Sequence, residues 1–526
     1  MAVVEYTYDE MKRLVDLPRE QMMAALSEMG APSEYEPETK KIISEITPNR
    51  PDWYSMEGLA RSLKTYFGKP AAEYKTKKSK YVVRVDKSVE TIRPYTVCAV
   101  VKSLKFDDQR IKDMVLLQEK LITTLGRKVK KFGLGIYPLR EIRFPVYYTT
   151  KKPNEIRYCP LGYDREMTAD EILVEHKKGQ QYGHMLKGND RYPVFVDADG
   201  RIMALIPIVN SAETGKVDEQ TKEIFVEVTG SDLHVCKAAL NIITCTFADM
   251  GGDVYEVKME YQKQKFTTPD LKPKKMKVDI KKINKILGVG LKEKEIEKLL
   301  KKMGYGYQKG DIIVPPYRAD ILGLIDVIED IAIAYGYNNF TPTIPGFFNP
   351  GERNRKWDSV DEIMRGMGFL ELKTFNLTNR EKLEMIGNVE DVAEIENPNN
   401  AEYTLIRPTL LGSFLEVLVV NKMKPIPQKF YEIGEVYQKK TKKKLVFGVM
   451  DKKIDFTEVR GYLQTLAIEN GFEFELNMKE NRVFDSEMSC SINIKKKECG
   501  VFGKINKKIL DKLGLEFEVY VCELEL

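Results

Sequence analysis

The chain has 526 residues, too many for one hydrophobic core, and at roughly 100–200 residues per domain it should divide into about three to five. Its composition, 43% hydrophobic and 31% charged, with no run near the roughly 18 apolar residues of a membrane span, is that of a soluble globular protein. A net charge of +5, from 84 basic and 79 acidic residues, is too mild to establish nucleic-acid binding by itself.

The N-terminal "MAVVEYTYDEMKRLV" lacks the basic-then-apolar pattern of a secretion signal, which makes the cytoplasm the expected compartment. Seven scattered cysteines form no C-x-x-C pair, so a structural zinc site is not expected and reduced thiols are. Lysines cluster at Lys75–Lys80, Lys272–Lys277 and Lys439–Leu445; such runs attract phosphate, and they also occur in solvated linkers.

Residues 1–75 read as a small mixed unit, with apolar residues at helical spacing in "TYDEMKRLVDL" and "PREQMMAALSEMG". A strand-like "KKIISEIT" follows, then a turn that opens the helix of "PNRPDWYSMEGLARSLKTYFG". Residues 80–265 alternate strand and helix patterns, with a hairpin signal at "DADG" between two branched, aromatic runs. Residues 268–343 hold two short amphipathic helices, the strand "DIIVPPY" and a closing helix over 321–336. The stretch Thr341–Asn354 marks a boundary, and residues 344–526 mix helices and strands; no internal repeat is visible.

The closing helix carries four carboxylates. Asp326, Glu329 and Asp330 fall at i, i+3 and i+4, and so share one face, while Ile321, Leu324, Ile325, Ile328, Ala332 and Ile333 pack the body. Asp320 stands where an aspartate is a favoured N-cap. Carboxylates this close repel one another. They call for a hard cation such as Mg²⁺ or an arginine from a partner, unless they simply form a solvated face.

At this point the chain resembles a known family. "VPPYRADILGLIDVIEDIAIAYGYNNF" is similar to the end of the B5 domain of phenylalanyl-tRNA synthetase β subunits. "ITPNRPDWYSMEGLARSL" resembles the signature of their N-terminal domain, and "NPNNAEYTLIRPTLLGSFLEVLVVN" with "FYEIGEVY" resembles their catalytic-like domain. The motifs stand in the family's order over nearly the whole chain, and the length suits the shorter archaeal/eukaryotic type. The resemblance implies a multidomain α+β fold: an N-terminal B1-like domain, a B3/B4-like editing domain, a B5-like helical/winged domain, and a class II synthetase-like antiparallel sheet with helices. It implies an α₂β₂ complex with an α subunit that uses ATP to attach phenylalanine to tRNA(Phe), with no membrane involved. It also implies Mg²⁺, shared with α, on Asp320, Asp326, Glu329 and Asp330, the last standing where the family usually has Glu.

No catalytic residue for aminoacylation is expected in this chain. Arg407, in "LIRPTLL", could bind ATP phosphate, yet nothing after it resembles the G-x-G-x-x-R that supplies a second arginine. Residues 80–265 resemble the domain that hydrolyses Tyr-tRNA(Phe), a task required because an apolar pocket rejects an added hydroxyl poorly. There Glu227 is the candidate for hydroxyl recognition, with Asn210 and Thr229 near it. His176 and His184, two of the chain's three histidines, are further candidates for lining the pocket. Other readings are a tRNA-binding scaffold that has lost hydrolysis and a stand-alone deacylase.

Overall fold

The computed structural model describes residues 2–344, 346–347, 351, 357–387 and 392–525. Part of the boundary stretch Thr341–Asn354 lies outside the described residues. The chain divides into two compact units, Met1–Ile344 and Pro345–Leu526.

In the first unit, three sheets arise from three successive segments. Strands Ala2–Thr7, Lys41–Ile46 and Ser33–Glu36 pair antiparallel in that order. A ten-stranded mixed sheet occupies residues 82–268, and Lys274–Lys277, Asp311–Val314 and Gly306–Gln308 form the third. One apolar core nevertheless runs through all three segments. It joins Met22, Leu26 and Leu63 to Ile242 and Ile243, and on to Ile296, Leu300 and Ile331. The "DADG" stretch does turn a hairpin between Tyr192–Val196 and Ile202–Leu205, with Asp197 Oδ1 accepting from the Asp199 and Arg201 N–H groups.

The ten-stranded sheet curls. Its order starts at Val209–Asn210 and ends at Phe132–Pro138, yet Tyr137 of the last strand meets Asn210 of the first. The helix Leu233–Asp249 covers the outside through Cys236, Leu240 and Ile243, against Val97, Val226, Val228 and Leu134. Strand residues of the opposite parity, among them Cys98, Val100, Phe225 and Tyr137, face an inner core with Tyr148, Phe195 and Met203. This inner face carries Glu227 and Thr229.

The second unit is built on a seven-stranded sheet. It runs Leu370–Glu371, Gln428–Gln438, Lys440–Asp451, Glu518–Leu524, Lys497–Ile505, Phe484–Ile494 and Glu475–Met478. Every pairing is antiparallel except the first. The helices Leu411–Asn421 and Phe456–Glu469 supply residues to its two apolar cores.

Candidate functional site

The strand Ile224–Gly230 lies between Tyr95–Lys102 and Phe132–Pro138, antiparallel to both. Register sets Glu227 opposite Cys98 and Gly135, and Thr229 opposite Thr96 and Gly133. The glycines make room: a Cβ on Gly135 would stand 2.5 Å from Glu227 Oε1 and 2.8 Å from the Tyr137 hydroxyl. Glu227 is 2% exposed. Its Oε1 is 3.4 Å from the Tyr137 hydroxyl, which also lies 3.1 Å from Asn210 Oδ1, while Oε2 has no hydrogen-bond partner. Burial pushes the carboxyl up to about 8; Arg93 and the Tyr137 hydrogen bond offset this only in part. At neutral pH the group is therefore mostly protonated, an O–H donor in an apolar enclosure.

Arg93, also buried, is the nearby cation. It donates from Nε to Thr229 Oγ1 at 3.3 Å and from Nη2 to the Thr229 carbonyl at 2.8 Å. Glu227 and Asn210 are thus joined through Tyr137, and Thr229, two residues along the strand, is held by Arg93; the sequence reading missed both Tyr137 and Arg93. The alternating small residues of "FGLGIYP" were the available signal for a strand approached closely by another group.

The histidines play other parts. His176 Nδ1 accepts from the Lys178 N–H as the N-cap of Lys177–Tyr182, and Nε2 meets the Leu161 carbonyl at 3.3 Å. His184 is exposed. Neither shares a hydrogen bond with Glu227.

The four carboxylates do not assemble as expected. The helix begins at Leu324, not Ile321, and its N-cap is Gly323. Asp320 is therefore no cap: Arg318, two residues earlier, chelates it with Nε at 2.9 Å and Nη2 at 2.7 Å. Asp326 takes over the capping role, Oδ2 accepting from the Leu322 and Gly323 N–H groups at 2.8 Å. Asp330 points inward, 2.7 Å from Arg318 Nη2, and accepts from the Tyr305 hydroxyl at 2.5 Å. Of the four, only Glu329 is exposed. Ile325, expected in the core, is 55% exposed, because the late start turns Val327, Ile328, Ile331 and Ala334 inward instead. The set does not fit a four-carboxylate Mg²⁺ site within this chain. Among the described residues no group of three or more His, Cys, Asp or Glu side chains is placed to hold a metal ion.

Arg318 belongs instead to a buried ion network where the three segments of the first unit meet. Arg50 chelates Asp52 at 2.9 and 2.8 Å and stacks 3.4 Å over the Trp53 ring. Arg61 bonds Asp249 at 2.8 Å and the Asp52 carbonyl at 3.3 Å, and lies 3.9 Å over Tyr317, the neighbour of Arg318. Burial alone would raise the Asp52 carboxyl; Arg50, Arg318 and Arg61 together hold it below its ordinary value. Gly58 is required here, since a Cβ would stand 1.9 Å from the Asp52 carbonyl oxygen. The network therefore takes in residues of both the "PNRPDWYSMEGLAR" and the "PPYRAD" signatures.

In the second unit Arg407 is buried, and all three of its nitrogens are bonded. Nη2 pairs with Glu432 at 2.9 Å, Nη1 with Thr374 Oγ1 at 2.6 Å, and Nε with the Glu435 carbonyl at 3.0 Å. Thr374 in turn donates to Glu432 at 2.5 Å. Each of the three Arg407 nitrogens is thus committed to a partner inside the unit. Elsewhere in the first unit a cleft of about 1970 Å³ is lined by eight lysines and five acids, and by none of the expected site residues.

The profile described as phenylalanyl tRNA synthetase beta chain CLM domain matches residues 340–526, and that of the tRNA synthetase B5 domain matches 276–337. Curated relatives include the phenylalanine–tRNA ligase beta subunit of Thermococcus sibiricus, 37% identical over 91% of this chain and 89% of that one. The Archaeoglobus fulgidus beta subunit is 35% identical over 100% and 98%. Among solved structures, an N-terminal fragment of the phenylalanyl-tRNA synthetase beta subunit from Pyrococcus horikoshii aligns with a TM-score of 0.60 at 34% identity. It covers 63% of this chain and 99% of the fragment. No described helix is long and apolar enough to cross a membrane.

Proposed function

This chain belongs to the family of phenylalanine–tRNA ligase β subunits, and from that premise we propose that its own chemical task is to clear tyrosine from tRNA(Phe). In this reading it works in the cytoplasm, in an α₂β₂ complex whose α subunits consume ATP and attach phenylalanine. The burial of Arg407 and its pairing with Glu432 inside the second unit support assigning synthesis to α.

The observation that carries the proposal is the unpartnered Oε2 of buried, protonated Glu227. A tyrosine phenol oxygen accepts the hydrogen bond it offers. A phenylalanine ring leaves that donor unsatisfied, and sites built to bond a substrate hydroxyl reject the analogue lacking it by ~10⁴–10⁵. Tyr137, itself bonded to Asn210 Oδ1, meets the other oxygen. Arg93 holds Thr229, and with it the end of the strand. A Mg²⁺ ion shared with α would find Glu329 as the exposed carboxylate of this chain, and no step of the hydrolysis is routed through it.

The test is hydrolysis of Tyr-tRNA(Phe) and Phe-tRNA(Phe) by the assembled complex. Wild type should clear the first and spare the second. Glu227→Leu should spare both, whereas Glu227→Gln, which keeps a donor, should retain discrimination. Equal hydrolysis of both substrates by wild type, or full activity of Glu227→Leu, would rule out this role. A complex that binds tRNA(Phe) and hydrolyses neither would return the chain to the scaffold reading.

A further inference from the structure

The loop 126–131, of sequence GRKVKK, joins the helix Asp108–Thr123 to the strand Phe132–Pro138. Its residues Arg127, Lys128 and Val129 take φ values of 47°, 52° and 70° in succession. Left-handed backbone is uncommon outside glycine, is an outlier for a β-branched residue such as valine, and occurs as single residues rather than runs. Single lysines with positive φ also stand at turns elsewhere, at Lys40, Lys309 and Lys439. The run of three, and its anchorage, set this loop apart.

The surroundings fix the conformation. The Gly126, Arg127 and Lys128 N–H groups donate back to the Leu121, Thr124 and Thr123 carbonyls, and the Lys131 N–H to Gly126. Val129 is buried, and a Cβ on Gly133 would touch its Cγ1 at 3.7 Å. The Val129 carbonyl accepts from Arg93 Nη2 at 3.2 Å, the same nitrogen that holds the Thr229 carbonyl. The Lys131 carbonyl accepts from the Ser231 N–H at 3.1 Å. The first half of the loop is thus fastened to the preceding helix, and the second half to the strand that carries Glu227.

This scaffold holds up cations. Arg127, Lys128 and Lys130 are exposed, and none forms a salt bridge among the described residues. Lys131 meets Asp232 only at 3.5 Å. From Lys131 to Gly135, the partner of Glu227, is four strand residues, or about 13 Å. Positions in this conformation favour glycine. Placing arginine and lysine there keeps charge at the expense of backbone comfort.

We propose that this loop is a phosphate clamp, in which Arg127, Lys128 and Lys130 grip the backbone of the RNA strand whose esterified end reaches Glu227. The proposal rests on the hydrolytic reading above. A polyanionic strand fits three free cations on a rigid support, because the ordering is complete before the strand arrives.

The test uses the full chain assembled with its α subunit and uncharged tRNA(Phe) as probe. In the variant Arg127→Gly/Lys128→Gly/Lys130→Gln, glycine accepts the left-handed backbone, so the fold is kept while the charge is removed. The logarithmic salt dependence of tRNA binding should fall by about 2, for three contacts of ~0.7 each. The control Lys272→Gln/Lys274→Gln/Lys275→Gln removes equal charge from another exposed run and should change the slope much less. In hydrolysis of Tyr-tRNA(Phe) the loop variant should raise KM and leave kcat, whereas Glu227→Leu should abolish turnover. An unchanged slope overturns the clamp, and does so without touching the hydrolytic reading if Glu227→Leu still abolishes turnover. Lost α assembly with an unchanged slope also overturns it, in favour of a protein partner. If no form hydrolyses Tyr-tRNA(Phe), the hydrolytic reading falls, and the slope alone decides whether the loop grips RNA.

Discussion

Asp330→Ala separates a structural carboxylate from a metal ligand. In the wild type Arg318 Nη2 serves Asp320 and Asp330, both at 2.7 Å, with side chains 2%, 11% and 6% exposed. Removing Asp330 leaves the Tyr305 hydroxyl without its acceptor and Arg318 with one carboxylate for two. Breaking a buried pair by deleting one partner costs about 3–5 kcal/mol. Because Asp320 remains on Arg318, the lower end, about 3 kcal/mol, is expected here. At about 2.1 cal/mol/K per residue the first unit, Met1–Ile344, shifts by ~1.4 °C per kcal/mol, so its melting temperature should drop by about 4 °C. Calorimetry on the full chain, with excess Mg²⁺ and with EDTA, makes the distinction. The wild type should melt alike in both, and the variant should lose the same amount in both. Glu329→Ala, on an exposed side chain, should stay within about 0.5 kcal/mol. The ion-network account is refuted if EDTA lowers the wild type as far as the mutation does, or if Asp330→Ala melts within 2 °C or so of wild type.

Glu227 makes a pH prediction. Its folded value of about 8 lies above its ordinary 4.5, so the folded chain binds the proton more tightly than the unfolded one. The Glu227 contribution to stability should be flat below pH 4.5, fall between 4.5 and 8 by at most about 5 kcal/mol, and level off above. Denaturant melts of Glu227→Gln against wild type should show this slope vanish in the variant; parallel curves would contradict the buried neutral acid. Gly135→Ala forces a Cβ against Glu227 Oε1 and the Tyr137 hydroxyl, with an expected destabilisation of ~1–3 kcal/mol. The measurement is Tyr-tRNA(Phe) hydrolysis, which should fall with that of Glu227→Leu rather than stay at wild-type level. Arg407→Ala strands Glu432 in the core and should destabilise the second unit by about 3–5 kcal/mol. In surviving complex, steady-state kinetics should show the KM for ATP unchanged; a large rise would make Arg407 a nucleotide ligand.

Elements were legible where periodicity is strong. The helices over 108–123, 233–249 and 293–302 and the hairpin at "DADG" follow from apolar spacing and turn chemistry. Glu227 was singled out by its place in the family resemblance, in the run "IFVEVTG". Its contacts were not legible, because Gly135, Tyr137 and Asn210 reach it only through the register and curl of a sheet, which no local pattern encodes. The start of the carboxylate helix and its N-cap were misplaced for a local reason that can be read in retrospect. Spacing along an ideal helix was extended back through Asp320, but an arginine two residues before an aspartate offers that aspartate a bidentate partner, and the pair competes with capping.

The same Arg-x-Asp device occurs twice, at Arg50–Asp52 and at Arg318–Asp320, and the two copies face each other across the junction with Arg61–Asp249 between them. Buried ion pairs contribute little net stability compared with apolar packing, but each has one acceptable geometry. A junction of three segments built from such pairs can close in one arrangement only, because any displacement strands a charge. The inner site follows the same logic on a smaller scale, where Arg93 ties the loop 126–131 to the strand of Glu227. The buried arginines of the first unit thus set positions, and in the proposed hydrolysis the recognition falls to Glu227, which no arginine pairs.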